Sequence, residues 1–397
     1  MSDLNEISAQ EIGRRLRLAR ENADIRQDDA ALVIGMSRPT LVSIEKGTRR
    51  VRIQELQSLA HHYGVSVNAL LRREAVHTDL IPRFRRLRET EDSHTVEAVR
   101  LLNDLVKAEV ELENVLGIER RKNYPPERGI SVGDVIMLAE QHAQELRSWL
   151  GLGSGTITDI FTLIELDLGI RLYQRRLSSG SKVSGVFTYD QSVGACILLN
   201  ANHPLERRIQ SAAHELGHFI GTRQVPEVLE ENEQSQAREE KYANAFGREF
   251  LTPRKSFEES FRQLTAGAVK LTRRYVIVLA HQHQISREAC VRRLEELGLA
   301  KKGTWDWFEA NGGITNKDAE AVLADVVQRH DSAKEDANQP LSHRMSLMAY
   351  AAWKRELMSE GQLAELLKVR RVELRELIDQ IEFEESDTDD VLNLPHR

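Results

Sequence analysis

Apolar residues recur at intervals of three and four along most of the chain, which is the period of an amphipathic α-helix. A Gly, Pro or polar turn interrupts the period at many points, so the helices are expected to be short. The predicted helices are five within residues 11–73, followed by 95–116, 131–150, 157–168, 205–220, 234–251, 271–284, 287–297 and a helical region over 340–381.

Three short runs in the middle of the chain depart from this period. They are rich in β-branched residues and are separated by the turn sequences SSGS and DQSVG, which is typical of strands. Strands are predicted over residues 170–173, 183–189 and 195–200. The expected fold class is mainly α with a small β-sheet (α+β): an all-α bundle at the N-terminus, a mixed domain that contains the strands, and a helical C-terminal region.

These elements predict four regions. Residues 1–75 form the helical bundle, 76–129 a helical linker, 130–265 the domain with the strands, and 266–397 the helical C-terminal region. The linker helix has an apolar seam, which either packs on its own domain or forms a short coiled coil that pairs two copies into a homodimer. The seam consists of Ala98, Leu101, Leu105, Ala108, Leu112 and Val115.

Composition narrows the class of protein. The chain has 397 residues, of which 41% are apolar and 29% charged, and no apolar run approaches the 18 residues of a membrane span. The N-terminus lacks the basic and apolar segments of a secretory signal. Two cysteines fit a reducing compartment, so we expect a cytoplasmic protein, in part nucleoid-associated, with no membrane partner.

Charge is distributed unevenly. The net charge is −7, yet residues 1–73 contain twelve Arg and Lys against nine Asp and Glu, and the segment 382–390 is acidic. This asymmetry fits a chain that contacts double-stranded DNA through residues 1–75 only.

The sequence AAHELGH places His214 and His218 four residues apart on a predicted helix. Residues at this spacing lie on one helix face, so both imidazoles can bind one metal ion. Glu215 lies at the edge of that face, where a carboxylate can act as a general base without binding the metal. Two cysteines are too few for a cysteine cage, so we expect one Zn2+ per chain, held by histidine and carboxylate.

A hydrolytic zinc site needs a third protein ligand. Glu233, Glu239, Glu240 and Glu249 are the candidates downstream of the histidines. Both Glu239 and Glu240 lie near the apolar face of the helix that follows, so periodicity does not choose between them.

The sequences ILLNANHP, AAHELGH and E-x-x-A-N-x-F-x-x-x-F-L-T-P together resemble the ImmA/IrrE family of zinc metallopeptidases, over about residues 130–300. The resemblance implies that Glu240, three residues before Ala243, is the third ligand, as in gluzincin-like sites. It also implies cleavage of a specific protein substrate, often a helix-turn-helix repressor, in control of stress, prophage or defence genes. Tyr242 and Gly247 depart from the family pattern.

Residues 27–47 read as two helices around a tight turn at 35–37, with Ser37 as N-cap and Gly47 after the C-terminus of the second helix. Polar residues at the start of a second helix are typical of DNA-reading helix-turn-helix motifs. The segment 11–73 resembles the XRE/Cro-type repressor family. The residues expected to contact DNA are Gln27, Ser37, Arg38, Thr40, Ser43, Arg49 and Arg50.

Two functions follow. The first is a DNA-associated zinc endopeptidase, in which the strand ending near Asn200 presents its edge to an extended substrate. The second is a helix-turn-helix regulator or antitoxin-like autoregulator whose zinc domain is a sensor or structural unit. Two C-terminal segments, 285–299 and 359–379, also resemble helix-turn-helix pairs, but their arginines alternate with acidic residues. Docking of a protein is therefore expected there rather than DNA.

Overall fold

The computed structural model describes residues 8–23, 25–65, 67, 70, 80–86, 93–230, 237–324 and 339–386. Contacts divide the chain into two compact units, residues 1–77 and 78–397. Most of the predicted helix over 67–71, the candidate ligand Glu233 and the end of the acidic tail lie outside the described residues. No helix within the described residues is long and apolar enough to cross a membrane.

The first unit is a bundle of short helices: α1 (Ala9–Asn22), α2 (Gln27–Val33), α3 (Arg38–Glu45) and α4 (Ile53–His62). Leu16, Leu41, Ile44 and Leu59 are fully buried at its centre. Leu32, an apolar position of the second predicted helix, is 76% exposed and does not join this core. The buried side of α2 is formed by Ala30 and Ala31, so Leu32 points one step around the helix, away from the core.

The turn between α2 and α3 has the predicted backbone but not the predicted cap. Ser37 is the N-cap residue of α3, yet its hydroxyl makes no hydrogen bond to the first-turn backbone and pairs with Thr40 Oγ1 at 3.0 Å. Gly47 follows the C-cap of α3 with a φ of +70°, and a Cβ there would lie 2.3 Å from Gln10 Cα. Only glycine fits this position without moving the start of α1.

The second unit is mainly helical around one small sheet, so the expected α+β class is confirmed. Its strands are β1 (Arg171–Arg175), β2 (Val183–Asp190), β3 (Gly194–Asn200) and β4 (Glu227–Glu230). Its longer helices are α5 (Ser93–Leu116), α6 (Val135–Trp149), α7 (Leu205–Gly221), α8 (Arg238–Leu251), α9 (Arg254–Thr265), α10 (Arg273–Gln282), α11 (Arg287–Glu296), α12 (Thr304–Ala310), α13 (Asn316–Leu323), α14 (His343–Lys354), α15 (Glu360–Leu367) and α16 (Arg371–Ser386).

The strand order is β1-β3-β2-β4. β1 runs parallel to β3, and β2 runs antiparallel to both β3 and β4. β3 is therefore an interior strand, and the prediction that the strand ending at Asn200 presents a free edge is wrong. The edge next to β2 is β4, whose short and largely polar sequence EVLE gave no strand signal.

Helix α5 covers one face of the sheet. Its seam residues Ala98, Leu105 and Leu112 are at most 1% exposed and pack in one cluster with Val186 and Leu198 of the sheet. Of the two alternatives that the sequence leaves open, a coiled coil between copies and packing within one domain, the structure shows the second. This seam is not free to pair two copies. Helices α7 and α8 belong to the apolar cluster on the other face, with Phe187 and Ile197.

Candidate functional site

Helices α7 and α8 approach each other closely because small residues line their contact. A Cβ at Gly217 would lie 2.7 Å from Ala243 Cα, and one at Gly247 would lie 3.1 Å from the Ala213 carbonyl carbon. Glycine at both positions lets the two backbones come nearly into contact. This close approach brings a side chain from the first turn of α8 to the histidines of α7.

That side chain is Glu240. Its Oε2 lies 3.4 Å from His214 Nε2 and its Oε1 lies 3.2 Å from His218 Nε2. The two Nε2 atoms are 3.1 Å apart. Ligands bound tetrahedrally at about 2.1 Å from one zinc ion are roughly 3.4 Å from each other. The donor set and its spacing therefore suit a zinc ion.

Two polar side chains orient the imidazoles. His214 Nδ1 lies 3.1 Å from Asn244 Oδ1, and His218 Nδ1 lies 3.2 Å from Thr222 Oγ1. An amide oxygen can only accept, so Nδ1 of His214 carries the proton and Nε2 keeps its lone pair for a ligand. Neither partner was predicted from the sequence, although Asn244 stands within the Ala-Asn pair that carried the family resemblance.

Charge also favours a cation here. Burial by itself raises the pKa of Glu240, but the adjacent His214 and His218 imidazoles outweigh it and hold the pKa well below the ordinary value. Burial lowers the pKa of His218. The site thus combines an anionic carboxylate with an imidazole that favours its neutral, metal-binding form.

Glu215 stands apart from this set. It is fully buried, and neither carboxylate oxygen has a hydrogen-bond partner within the described part of the chain. Burial, together with the nearby charges of Glu227 and Glu240, raises the pKa of Glu215 well above its usual value. Such a carboxyl has a high affinity for a proton, as a general base at neutral pH requires.

Of the other candidate ligands within the described residues, neither Glu239 nor Glu249 belongs to this cluster. Glu249 is 1% exposed and pairs with Arg293 of α11 at 2.5 Å, while its Oε1 accepts from the Arg254 backbone at 3.2 Å. Across the described ranges, His214 and His218 cluster with Glu240 and not with Glu239. Arg293 lies in the segment 285–299, where docking of a protein is expected, but its side chain is buried and forms an ion pair with Glu249.

Tyr242, the departure from the family pattern, is buried behind the site. Its hydroxyl lies 2.7 Å from His142 Nδ1, and its ring fills the space beside Gly221. It therefore braces α8 against α6 and α7 and does not enter the metal cluster.

A cleft of about 1110 Å3 leads to His214. One side is formed by Ser184 of β2, Leu229 and Glu230 of β4, and the first turns of α7. The opposite side is formed by α10, the start of α11, and α13. This volume is sufficient for several residues of an extended chain.

In the first unit, some of the residues predicted to contact DNA are exposed, whereas others hold neighbouring elements in position. Arg38 is exposed at the start of α3, and its Nε donates to Gln27 Oε1 at 3.3 Å, while Gln27 donates to Glu45 Oε2 at 2.9 Å. Gln27, at the start of α2, thus bonds to Arg38 and Glu45 of α3 and helps to fix the orientation of α3. Ser43 turns its hydroxyl to the Pro39 carbonyl at 2.9 Å.

Arg49 and Arg50 differ from one another. The Arg49 guanidinium forms two hydrogen bonds to Glu55, at 2.8 and 3.0 Å, and so ties the loop after α3 to α4. Arg50 is exposed. Of these two neighbours, Arg50 has the side chain more readily available to a phosphate.

Comparison with known proteins agrees with the two units. Residues 166–295 match the IrrE N-terminal-like domain of the M78 peptidases, and residues 11–73 match a helix-turn-helix domain. The chain joins these two domains, as its sequence motifs indicated. These two domains indicate a DNA-binding regulator that carries a peptidase-like domain. No curated protein matches it.

Solved structures give only a weak likeness. ComR from Streptococcus suis is 12% identical, with 97% of each chain covered and a TM-score of 0.16. PlcR from Bacillus thuringiensis, solved with a peptide and DNA, is 11% identical over 96% of this chain and 100% of that chain, again with a TM-score of 0.16. TM-scores this low carry no argument about this chain.

Proposed function

We propose that this chain is a zinc-dependent endopeptidase of the cytoplasm that cleaves a specific protein, a helix-turn-helix repressor, and thereby derepresses stress, prophage or defence genes. The observation that supports the proposal is the convergence of His214, His218 and Glu240 beside the buried, unpaired Glu215. The peptidase-like domain match agrees with it.

The distances between these side chains support the following roles. His214, His218 and Glu240 would hold one zinc ion, which when bound supplies a Lewis acid and lowers the pKa of a water molecule. Glu215 accepts the proton of the attacking water and returns it to the leaving amine. Asn244 and Thr222 hold the imidazoles in the tautomer that leaves Nε2 free.

Strand β4 is the proposed docking edge for the substrate. It lies at the end of the sheet, and Leu229 and Glu230 line the cleft that reaches His214. An extended peptide can pair with such an edge through backbone hydrogen bonds. The cleft thus favours an unfolded or flexible segment over a folded surface.

The helix-turn-helix domain would direct this activity to gene control. We propose that Gln27, Ser37, Arg38, Thr40, Ser43, Arg49 and Arg50 form its DNA-facing surface, with Gln27 and Arg49 acting through the positions of α3 and the following loop. Bound DNA would bring the peptidase near a repressor at its operator. The specificity for a repressor rests on the resemblance to ImmA/IrrE proteins.

The competing function is a regulator whose metal domain is structural or sensory. A structural zinc site is closed by four protein ligands, whereas the described residues supply three. A structural site also gives no reason to bury an unpaired carboxyl such as Glu215, which costs folding free energy. Both features favour the enzyme.

The deciding experiment compares wild type with Glu215→Gln, which keeps the shape of the side chain and removes the base. Metal analysis should find about one zinc per chain in both. Quantitative proteomics of cells carrying each form should show a protein fragment in the wild type alone. Equal zinc content with no Glu215-dependent fragment would favour the regulator instead.

A further inference from the structure

A second cavity, of about 430 Å3, lies at the β1 edge of the sheet, which is the edge opposite β4. Its walls come from the segment before β1, from β1, from the start of α7, and from α14 and α16. The lining mixes polar residues with apolar ones, the latter including Ile160, Leu172, Leu341, Leu377 and Ile381. A pocket of this size and character is suited to a small organic molecule that has both an apolar part and a polar group.

The charge of this wall has one sign. Asp159 and Glu165 line the cavity, whereas its described lining residues include no lysine or arginine. Asp159 is exposed, but Glu165 is only 6% exposed, and burial raises the pKa of its carboxyl above the ordinary value. Arg120, whose charge also acts on Glu165, is paired with Glu109 and Glu113. A cation in the cavity would therefore supply a counter-charge that Glu165 lacks.

A hydroxyl without a partner lies one helical turn from this carboxyl. The Ser342 hydroxyl and the Arg344 backbone amide, at the start of α14, are near enough to Glu165 to favour its charged form. Ser346 lies four residues after Ser342, on the same face of α14 and about 6 Å further along the helix axis. It lines the cavity and is 5% exposed, and its hydroxyl makes no hydrogen bond within the described part of the chain. A buried hydroxyl is rarely left in this state, which points to a ligand as its partner.

An ammonium group matches both side chains. It has three N–H donors and no acceptor, while the Glu165 carboxylate and the Ser346 hydroxyl can each accept a hydrogen bond. A neutral alcohol would bond to Ser346 but leave Glu165 without a counter-charge. A carboxylate ligand would be repelled by Glu165. The wall thus favours a cation over a neutral or anionic molecule of the same shape.

One residue of this wall also belongs to the substrate cleft and has a strained backbone. Gln284, in the turn between α10 and α11, lines both spaces and has a φ of +52°, in the left-handed region that side chains disfavour. The turn between α2 and α3 has the same pair of backbone hydrogen bonds, with Gly35 at the equivalent place. Gln284 thus places an amide between the cavity and the cleft at a position where glycine would be unstrained.

We propose that this cavity is an effector site for a small organic cation, an amine attached to an aliphatic or aromatic group. Its ammonium lies between Glu165 and Ser346, and its presence is transmitted to the cleft through Gln284. Binding of the amine is independent of the proposed peptidase function, whereas its effect on cleavage rests on that function.

Three probes with one carbon skeleton test the ligand class: 4-phenylbutylamine, 4-phenylbutanol and 4-phenylbutyrate. Calorimetric titration of the full chain is expected to give an affinity for the amine about tenfold or more above that for the alcohol, and no saturable binding of the carboxylate. Ser346→Ala should weaken amine binding about tenfold without lowering Tm, because it removes a buried hydroxyl that has no partner.

Charge is tested at two positions. Glu165→Gln should bind the amine no better than the alcohol. Glu365→Gln removes the same charge from an exposed position on α15 outside the cavity, and should bind the amine as wild type does. This control is needed because a net charge of −7 attracts any amine. Equal binding of amine and alcohol by wild type, or an amine preference that survives in both Glu165→Gln and Ser346→Ala, overturns the site.

Gln284→Gly tests the transmission. The turn accommodates glycine, so this variant should fold and still bind 4-phenylbutylamine. The amine is expected to change the rate of Glu215-dependent cleavage about fivefold in wild type and to leave the rate of Gln284→Gly unchanged. An equal effect in both chains, or no effect on a wild type that binds the amine, overturns the transmission. Absence of any Glu215-dependent cleavage overturns the peptidase function and the transmission with it, while calorimetry decides the binding site separately.

Discussion

Gly185 of β2 faces Glu215 of α7 so closely that a Cβ at position 185 would lie 2.4 Å from Glu215 Oε1. The approach coincides with an irregularity in the pairing of β2 with β4, where the register shifts between Val183 and Gly185. A bulge of this kind re-aims side chains, and glycine removes the atom that would displace the carboxyl. The position of the proposed base therefore depends on a residue in the sheet.

Gly185→Ala should move Glu215 and leave the metal set in place. We expect zinc content to remain near one per chain and proteolysis to fall about 100-fold, since a displacement near 1 Å has that effect on a catalytic group. Overpacking should lower the free energy of unfolding by about 1–3 kcal/mol. Urea unfolding, metal analysis and a cleavage assay measure the three quantities.

A double-mutant cycle provides the control. If Glu215 causes the crowding, Gly185→Ala should cost much less stability in a Glu215→Ala background. Gly361→Ala, where an added Cβ meets nothing within 4 Å, should be neutral or stabilising. An equal cost of Gly185→Ala in both backgrounds would show that the glycine serves the sheet and not the carboxyl.

Glu240→Gln should reduce zinc content to a small fraction of one per chain, since it removes the anionic member of the cluster. Glu239→Gln, one residue away, should retain it. Both are measured by metal analysis after dialysis against a weak chelator. Loss of zinc in the Glu239 variant alone would assign the third ligand to the other carboxylate.

Asn244→Ala should weaken zinc binding about 10- to 100-fold, as removal of a partner that orients a ligating histidine generally does. Competition with a chromophoric chelator measures the affinity. Asn202→Ala removes an amide that donates to the Leu177 carbonyl in a different part of the unit, and should leave the affinity unchanged. A full-affinity Asn244 variant would show that His214 needs no such support.

Glu109 of α5 joins three parts of the second unit. It pairs with Arg120, with Arg171 of β1 at 3.0 Å and with Arg344 of α14 at 2.7 Å. Burial alone would raise the pKa of Glu109, but Arg171 and Arg120 outweigh it and hold the pKa well below the ordinary value. Glu109→Gln should therefore cost about 3–5 kcal/mol of unfolding free energy at neutral pH.

The pH dependence has a definite sign. Because the pKa of Glu109 is depressed in the folded state, Glu109 makes its full contribution to the free energy of unfolding above its unfolded-state pKa of about 4.3. This contribution is lost as the pH falls through the folded-state pKa. Denaturant unfolding of wild type and Glu109→Gln should thus differ most near pH 7 and converge below about pH 4. A difference that grows on acidification would contradict this assignment.

Arg38→Ala should weaken DNA binding without unfolding the bundle, because Arg38 is exposed and its contacts among the described residues are with the polar side chains of Gln27 and Asp28. Arg49→Ala should lower stability as well, since it leaves Glu55 without its ion pair. Footprinting on the protein's own promoter and thermal melting separate the two effects. Unchanged affinity in Arg38→Ala at low salt would favour a protein-interaction role for this domain.

Features that depend on local periodicity could be predicted from the chain alone. The spacing of His214 and His218 predicts one helix face, and they lie there with their Nε2 atoms 3.1 Å apart. Runs rich in β-branched residues and the turn sequences between them predict β1, β2 and β3, and the polar start of α3 predicts the helix-turn-helix. In each case the period of the backbone decides which residues share a surface, so no distant contact is needed.

Which distant groups complete the site depends on how the elements pack in three dimensions. Helical period left Glu239 and Glu240 equivalent, and the close packing of α7 on α8 at Gly217 and Gly247 brought Glu240 to the histidines. The same packing positions Asn244, while strand pairing placed β4 at the edge and Gly185 against Glu215. These relations depend on how helices and strands are packed together, and a pattern along one element does not contain that information.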